Sequence, residues 1–225
     1  MKKFLLFLLL FGFHETYSQV KNPYGLEVVN EYSTYKKSVE LDKNKELIEI
    51  KKHIPTIKLD IRYAKKNNFA KQAVYKQARA FARLPVVDAL QNVQNELKKS
   101  GYGLKIFDGY RPYSVTVKFF AIASDKSFVA NPKDGSRHNR GCAIDLTLID
   151  LRTGKELEMP TPYDSFAAEA ASDFNNLPAN ILHNRKLLRD TMEKHGFKVL
   201  NNEWWHFDFI GWKNYELMDI AFEDL

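Results

Sequence analysis

The spacing of apolar residues along the chain predicts four β-strands. Between residues 57 and 61, every isoleucine or leucine is followed by a charged residue, an alternation typical of a strand with one buried face. Apolar runs predict two more strands, at residues 104–107 and 142–149. A final strand is predicted at residues 204–210, in which every second side chain shares one face.

Three longer stretches carry apolar residues three or four positions apart, which is the spacing of one helical face. The first runs from Pro85, which suits the opening turn of a helix, to a stop at Gly101. The second opens at Pro112 and ends near residue 124, and the third covers residues 180–195. Helices and strands alternate irregularly, so the sequence predicts a single α+β domain with a central, largely antiparallel sheet flanked by helices.

Residues 1–45, which precede the predicted domain, divide into two segments. Two lysines precede an apolar run at residues 4–13, and small residues follow at positions 16 and 18. This order predicts a secretory signal peptide over residues 1–19 and a periplasmic location, with an uncleaved membrane anchor as the alternative. After removal of the leader, no integral membrane segment is expected. Residues 20–45 are polar and lack periodicity, so they predict an extended N-terminal arm before a domain at residues 46–225.

Composition narrows the class of protein. The chain has 225 residues, of which 44% are hydrophobic and 28% charged, and these are ordinary values for one globular domain. Its single cysteine excludes an intramolecular disulfide and a zinc site of several thiolates, so any metal ligands are His, Asp or Glu. The net charge of +6 is mild, and no run of basic and aromatic residues indicates nucleic-acid binding. Mixed lysine-rich stretches indicate a solvated face, with anionic wall polymers as an alternative partner.

Two short stretches combine a histidine with a carboxylate. His138 lies in a loop, and Asp145 follows within an otherwise apolar strand, where a lone carboxylate is costly unless it is paired or binds a metal. A salt bridge between Asp145 and Arg140 is an equally open interpretation. Glu203 precedes His206 by three residues, a spacing that allows a carboxylate to hold water beside a metal bound by the histidine. Alternatively, both side chains face solvent at a strand edge.

A third stretch places Arg111 between a strand and a helix. In a cleft, its guanidinium would stabilise an oxyanion or hold a carboxylate through two N–H groups. The alternative is a surface arginine at the start of a helix.

Together, these stretches resemble the zinc D-Ala-D-Ala peptidases, and above all the dipeptidases of the VanX type. The motifs are Asp-Gly-Tyr-Arg-Pro at residues 108–112, Ser-x-His-x-x-Gly-x-Ala-x-Asp at 136–145 and Glu-x-x-His at 203–206. Further matching text, including DIRYAKKNNF, TGKELEMPTPYDSF and EWWHF, extends the resemblance over about residues 57–210.

The resemblance implies one zinc ion per chain, in a cleft on the sheet, and a set of residues around it. The implied zinc ligands are His138, Asp145 and His206. The implied catalytic residues are Glu203, as general base, and Arg111, which stabilises the tetrahedral intermediate and is oriented by Asp108. The residues implied to line a small dipeptide pocket are Tyr63, Ser136 and Asp164, with Asp164 pairing with the substrate ammonium and Ser136 with its carboxylate.

The function implied by the resemblance is zinc-dependent hydrolysis of D-alanyl-D-alanine, linked to cell-wall precursor or turnover metabolism. The stretch between Pro112 and Ser136 is shorter than in the VanX type. This difference keeps open a DD- or LD-carboxypeptidase, or an endopeptidase, that acts on peptidoglycan stem peptides. A third alternative is a protein that binds zinc or the wall without catalysis, and the presence of both Glu203 and Arg111 argues against it.

Overall fold

A five-stranded sheet carries several of the predicted site residues in the computed structural model, which describes residues 22–225. The predicted signal peptide lies outside the described residues. The strands are β1 (Val28–Val29), β2 (Leu47–Glu49), β3 (Lys58–Leu59), β4 (Phe81–Arg83), β5 (Tyr102–Asp108), β6 (Ala143–Asp150), β7 (Phe197–Leu200), β8 (Glu203–Phe209) and β9 (Leu217–Met218). The helices are α1 (Tyr32–Leu41), α2 (Ile50–His53), α3 (Leu84–Lys99), α4 (Tyr113–Ile122) and α5 (Ala179–Lys194).

The sheet has the strand order β3-β5-β6-β8-β7, and every neighbouring pair except β3–β5 is antiparallel. This topology confirms the predicted α+β class and the largely antiparallel sheet. Where β6 pairs with β8, Asp145 lies directly opposite His206. The apolar pattern does not predict the edge strand β7, because Phe197 alone among its four residues is buried.

Helices α3 and α5 pack against each other and against the sheet, where α3 contacts β5 and α5 contacts β7. Leu90 and Val93 of α3 are fully buried, as are Leu188 and Met192 of α5. Burial of each such side chain contributes about 1.5–3 kcal/mol to folding. These two helices therefore hold in place the strands that position the site.

The expectation of an extended arm at residues 20–45 is wrong for its central part. Residues Tyr32–Leu41 form α1, in which Tyr35 and Val39 lie one turn apart and are buried. The Tyr35 hydroxyl accepts a hydrogen bond from the Leu47 amide at 2.8 Å and ties the helix to β2. Two buried residues in a largely polar segment give little periodic signal, and packing against the domain stabilises this helix more than its own sequence does.

Candidate metal centre and pocket

The three predicted metal ligands converge on the sheet. His138 begins a short 3-10 helix, Asp145 lies on β6 and His206 lies on β8. His206 Nδ1 is 3.1 Å from Asp145 Oδ1 and 3.2 Å from His138 Nε2. The third side of this triangle, from His138 Nε2 to Asp145 Oδ1, measures 3.3 Å. All three side chains are buried.

This triangle fits a tetrahedral zinc ion. Zinc–ligand bonds of about 2.0–2.1 Å in tetrahedral geometry place the ligand atoms about 3.3 Å apart, close to the three observed distances. Asp145 Oδ1 is buried without a hydrogen-bond partner, a costly arrangement unless a cation binds it. Two imidazoles and one carboxylate leave a fourth coordination position open, which is the pattern of catalytic zinc sites.

Groups outside the triangle determine which nitrogen of each histidine carries hydrogen. His138 Nδ1 donates to the Gly109 carbonyl at 2.7 Å. His206 Nε2 lies 2.9 Å from Asp208 Oδ1. A carbonyl and an ionised carboxylate only accept hydrogen bonds, so these outer nitrogens are the donors. When each histidine is neutral, its inner nitrogen therefore has the lone pair that binds a metal.

Sequence reasoning missed three partners of this centre, namely the Gly109 carbonyl, Tyr163 and Asp208. The Tyr163 hydroxyl donates to Asp145 Oδ2 at 2.8 Å, which leaves Oδ1 for the metal. Asp208 could have been predicted from the sequence, because the alternation of the last strand places it on the same face as His206. The Gly109 carbonyl could not have been predicted, since it is a backbone group that no side-chain motif identifies.

Electrostatics at the centre favour an ionised carboxylate between two histidines. Burial alone would raise the pKa of Asp145, but the neighbouring His138 and His206 hold that pKa well below its usual range. Burial alone would lower the pKa of His206, whereas the neighbouring carboxylates of Asp145 and Asp208 raise it to about 10. A divalent cation competes with protons for these same atoms, so we expect metal binding to release protons.

Glu203 and Arg111 lie beside the triangle. Glu203 Oε2 is 3.8 Å from His206 Nδ1, and burial raises the pKa of this carboxyl above its ordinary value. Arg111 donates to Asp108 Oδ2 from Nε at 3.0 Å and from Nη2 at 2.8 Å. The Tyr75 hydroxyl donates to the other oxygen of Asp108 at 2.9 Å. The structure thus places Asp108 against Arg111, while the catalytic roles of these residues stay predictions.

A pocket of about 260 Å³ adjoins the centre, and the three predicted substrate-binding residues line it. The Tyr63 hydroxyl donates to Asp164 Oδ1 at 2.8 Å, whereas Asp164 Oδ2 is buried without a partner. Burial raises the pKa of Asp164 to about 7. The Asp164 backbone has a φ of 63°, a left-handed conformation that costs free energy outside glycine. Ser136 is buried in the pocket wall, and its Oγ accepts a hydrogen bond from the His138 amide at 3.2 Å.

An aromatic wall forms another side of this pocket. The rings of Phe128 and Phe166 stack with centroids 4.5 Å apart, and Phe69 packs edge-on against Phe119 at 4.9 Å. Apolar walls around a few polar groups are typical of small-molecule sites. Sequence reasoning did not identify these phenylalanines, because their pattern does not distinguish a pocket wall from the core.

Comparison with known proteins confirms the resemblance carried by the motifs. Residues 43–222 match the peptidase M15 family, described as D-Ala-D-Ala dipeptidase. A D-alanyl-D-alanine dipeptidase of Escherichia coli (strain K12) is 31% identical over 173 residues, which cover 77% of this chain and 89% of the relative. One of Enterococcus faecium is 30% identical over 174 residues, covering 67% and 85%. Among solved structures, the LD-carboxypeptidase LdcB is 23% identical, with a TM-score of 0.39 over 60% of this chain and 61% of its own.

Proposed function

Because this chain belongs to the D-Ala-D-Ala dipeptidase family, we propose that it hydrolyses free D-alanyl-D-alanine to two D-alanines. Membership of this family makes the chain a metallopeptidase, and its buried His-Asp-His group fits a zinc ion. Two relatives of about this length bear the name of the same activity, and they support the choice of substrate.

The unpartnered oxygen of Asp164 carries the proposal for a free dipeptide. This oxygen is buried, and Asp164 lines the pocket that also holds the metal ligands. A nearby cation stabilises a buried carboxylate, and the free amino terminus of a dipeptide supplies an ammonium. The volume of about 260 Å³ also lies below the roughly 300–1,000 Å³ of pockets for drug-sized ligands. A short substrate with a charged amino end fits both observations.

In the proposed reaction, each polar group around the substrate has one task. A zinc ion held by the triangle supplies Lewis-acid chemistry, which acidifies water and polarises a carbonyl. Glu203 accepts a proton from the attacking water and returns it to the leaving amine. Arg111, fixed by its two bonds to Asp108, donates to the oxygen on which negative charge develops. Asp164 holds the substrate ammonium, and Ser136 donates to the substrate carboxylate.

Acetylation of the substrate amino group tests the proposal. Blocking the ammonium leaves Asp164 without its cation, and one unpaired buried charge costs about 3–5 kcal/mol, a rate loss of at least about a hundredfold. We expect kcat/KM for D-Ala-D-Ala to exceed that for N-acetyl-D-Ala-D-Ala and for a stem pentapeptide by that factor. L-Ala-L-Ala serves as the stereochemical control, and Asp164→Ala should narrow the gap by harming the free dipeptide.

Two outcomes would contradict this reading. Equal kcat/KM for the free and acetylated dipeptides would favour a carboxypeptidase that acts on stem peptides with the same centre. No cleavage of any of these substrates by zinc-loaded protein would favour the non-catalytic alternative.

We further propose that the protein is exported to the periplasm. Support comes from residues 1–19, where the two lysines and the apolar run have the order of a signal peptide. Among residues 22–225, no helix is long and apolar enough to cross a membrane. Fractionation of cells that express the full chain should recover it with periplasmic markers, and deletion of residues 2–19 should retain it with cytosolic ones.

The excess of basic over acidic residues supports a last proposal, association of the exported protein with anionic wall polymers. Such an association is screened by salt over distances of about 10 Å at 0.1 M. We expect the protein to sediment with purified cell walls at low salt and to be released at 0.5 M salt. Recovery in the supernatant at low salt would contradict the proposal.

A further inference from the structure

Asp208 contacts the metal centre although it is not one of the predicted ligands. It lies two residues after His206 on β8, and its Oδ1 is 2.9 Å from His206 Nε2. Only 15% of the Asp208 side chain is exposed. The opposite nitrogen of the same ring, Nδ1, is the atom that faces Asp145 and His138. Asp208 therefore binds the nitrogen of the His206 ring that faces away from the metal site.

We propose that Asp208 is a positioning residue for zinc binding, an inference that rests on the zinc centre of the proposed function. By accepting the Nε2 hydrogen, its carboxylate selects the ring tautomer whose Nδ1 lone pair points at the metal site. It also fixes the ring about its χ angles, so that less freedom is lost when the ion binds. An anionic acceptor at Nε2 also makes the imidazole more basic, so its Nδ1 lone pair binds a metal cation more strongly.

The two histidines are held by different kinds of acceptor. His138 Nδ1 donates to the Gly109 carbonyl, a neutral backbone group, at 2.7 Å. The carboxylate nearest to His138 Nδ1, that of Asp108, is 3.9 Å away and outside hydrogen-bond distance. Of the two histidines, His206 therefore has a carboxylate as its hydrogen-bond acceptor, and a side-chain substitution can remove that support without touching any predicted ligand. Because of this difference, the contribution of Asp208 to zinc binding can be measured with a substitution that leaves all three predicted ligands in place.

Asp208 is itself held by a less buried neighbour. Arg137 Nε lies 3.5 Å from Asp208 Oδ2, and the Arg137 guanidinium lies over the Trp212 ring at 4.8 Å from its centroid. Because 44% of the Arg137 side chain is exposed, solvent screens this ion pair. We expect Arg137→Met to change zinc affinity by no more than about fivefold, less than any loss of Asp208.

Zinc affinity, measured by competition with a chromogenic chelator, tests the proposal without reference to turnover. Loss of the outer partner of a metal-bound histidine typically weakens metal binding by about 10–100-fold, so we expect that loss in Asp208→Ala. Asp208→Asn should lose less, because its amide oxygen still accepts the Nε2 hydrogen. Asp219→Asn is the matched control, since the Asp219 carboxylate accepts hydrogen bonds from Ser114 outside the pocket.

The results separate three cases. The positioning role is supported by weaker zinc binding in Asp208→Ala, a smaller loss of zinc affinity in Asp208→Asn and unchanged zinc affinity in Asp219→Asn. If wild-type protein binds one zinc and both Asp208 variants bind it within twofold of wild type, Asp208 only stabilises the strand, and the proposed function stands. If wild-type protein binds no zinc, the metal centre and this inference both fail. Thermal unfolding of the metal-free variants shows whether each has folded.

Discussion

Glu203 and Asp164 are carboxyl residues of one pocket, and burial raises the pKa of each. Glu203 lies 3.8 Å from Nδ1 of the predicted ligand His206, whereas Asp164 accepts a hydrogen bond from the hydroxyl of Tyr63. Two carboxyls in different surroundings can take different roles in one reaction. In the proposed reaction, Glu203 exchanges a proton and Asp164 holds a charge.

Replacement of Glu203 separates metal binding from catalysis. Glu203→Gln removes the proton acceptor but no ligand, so we expect full zinc content and a kcat lowered by about 10²–10⁴-fold. Metal analysis and D-alanine release measure the two quantities on the same sample. Glu156→Gln is the control, because Glu156 pairs with Lys105 away from the pocket. A zinc-loaded Glu203→Gln with near-native kcat would exclude Glu203 as the base.

The pH dependence of substrate binding should report on Asp164. Its pKa of about 7 leaves the carboxyl neutral below that pH and charged above it. The KM for D-Ala-D-Ala should therefore fall as the pH rises from about 6 to 7.5, and rise again above about 8 where the substrate amine loses its proton. In Asp164→Asn the acidic limb should vanish and KM should be high throughout. An acidic limb that persists in this variant would assign the titration to another group.

For individual residues, the sequence motifs predicted the side-chain groups of the site. The histidines and carboxylates of the centre stand in short motifs, and residues far apart in the chain, such as Asp145 and His206, meet as the resemblance implied. The Gly109 carbonyl and the unpartnered Asp164 oxygen depend on tertiary geometry, so no residue pattern contains them.

Among the elements, the turn after β5 joins the sheet to the metal centre. Gly109 approaches β4 so closely that a Cβ there would meet the Phe81 carbonyl oxygen at 2.6 Å. The same glycine presents its own carbonyl to His138 Nδ1. Tight backbone packing and ligand orientation therefore depend on one position without a side chain.

Gly109→Ala should consequently damage both stability and zinc binding. Forcing a methyl group into this contact costs about 1–3 kcal/mol, which lowers Tm by roughly 2–12 °C in a protein of this size. Zinc affinity should also fall, because the carbonyl that orients His138 is displaced. Gly154→Ala is the control: Gly154 has a φ of 71° but open space around it, so its variant should lose stability and keep zinc affinity. Unchanged zinc affinity in Gly109→Ala would contradict the role of the turn.

Elements with strong periodic signals were predictable, and those stabilised by packing were not. Helix α3 and strands β6 and β8 lie within a few residues of the predicted ranges, because long buried faces impose regular spacings. Helix α1 escaped prediction because only Tyr35 and Val39 of its residues are buried. The two-residue pairing of β1 with β9 is too short to leave any pattern.

For the whole molecule, the predicted metal site brings together segments that are distant in the chain. His138 and Asp145 precede α5, whereas His206 follows it on β8. Because only the folded chain brings these ligands together, bound zinc stabilises the folded state by mass action.

Zinc removal should accordingly lower the melting temperature. At a free zinc concentration of 100 times Kd the stabilisation is about 2.7 kcal/mol, or roughly 5–10 °C in Tm for this chain length. Calorimetry of the zinc-loaded protein and of the chelator-treated protein measures the shift. His206→Ala, which lacks one ligand, should lose most of its zinc and show little shift. An equal shift in that variant would place the stabilising ion elsewhere.

The parallel pairing of Val28–Val29 with Leu217–Met218 has a consequence for the timing of folding. Contacts between residues so distant in sequence form late, because closing the intervening loop costs chain entropy. During synthesis, β1 leaves the ribosome long before its partner strand is made. The segment at residues 28–29 therefore stays without its partner strand until residues 217–218 have emerged, so this pairing forms after the five-stranded sheet has been synthesised.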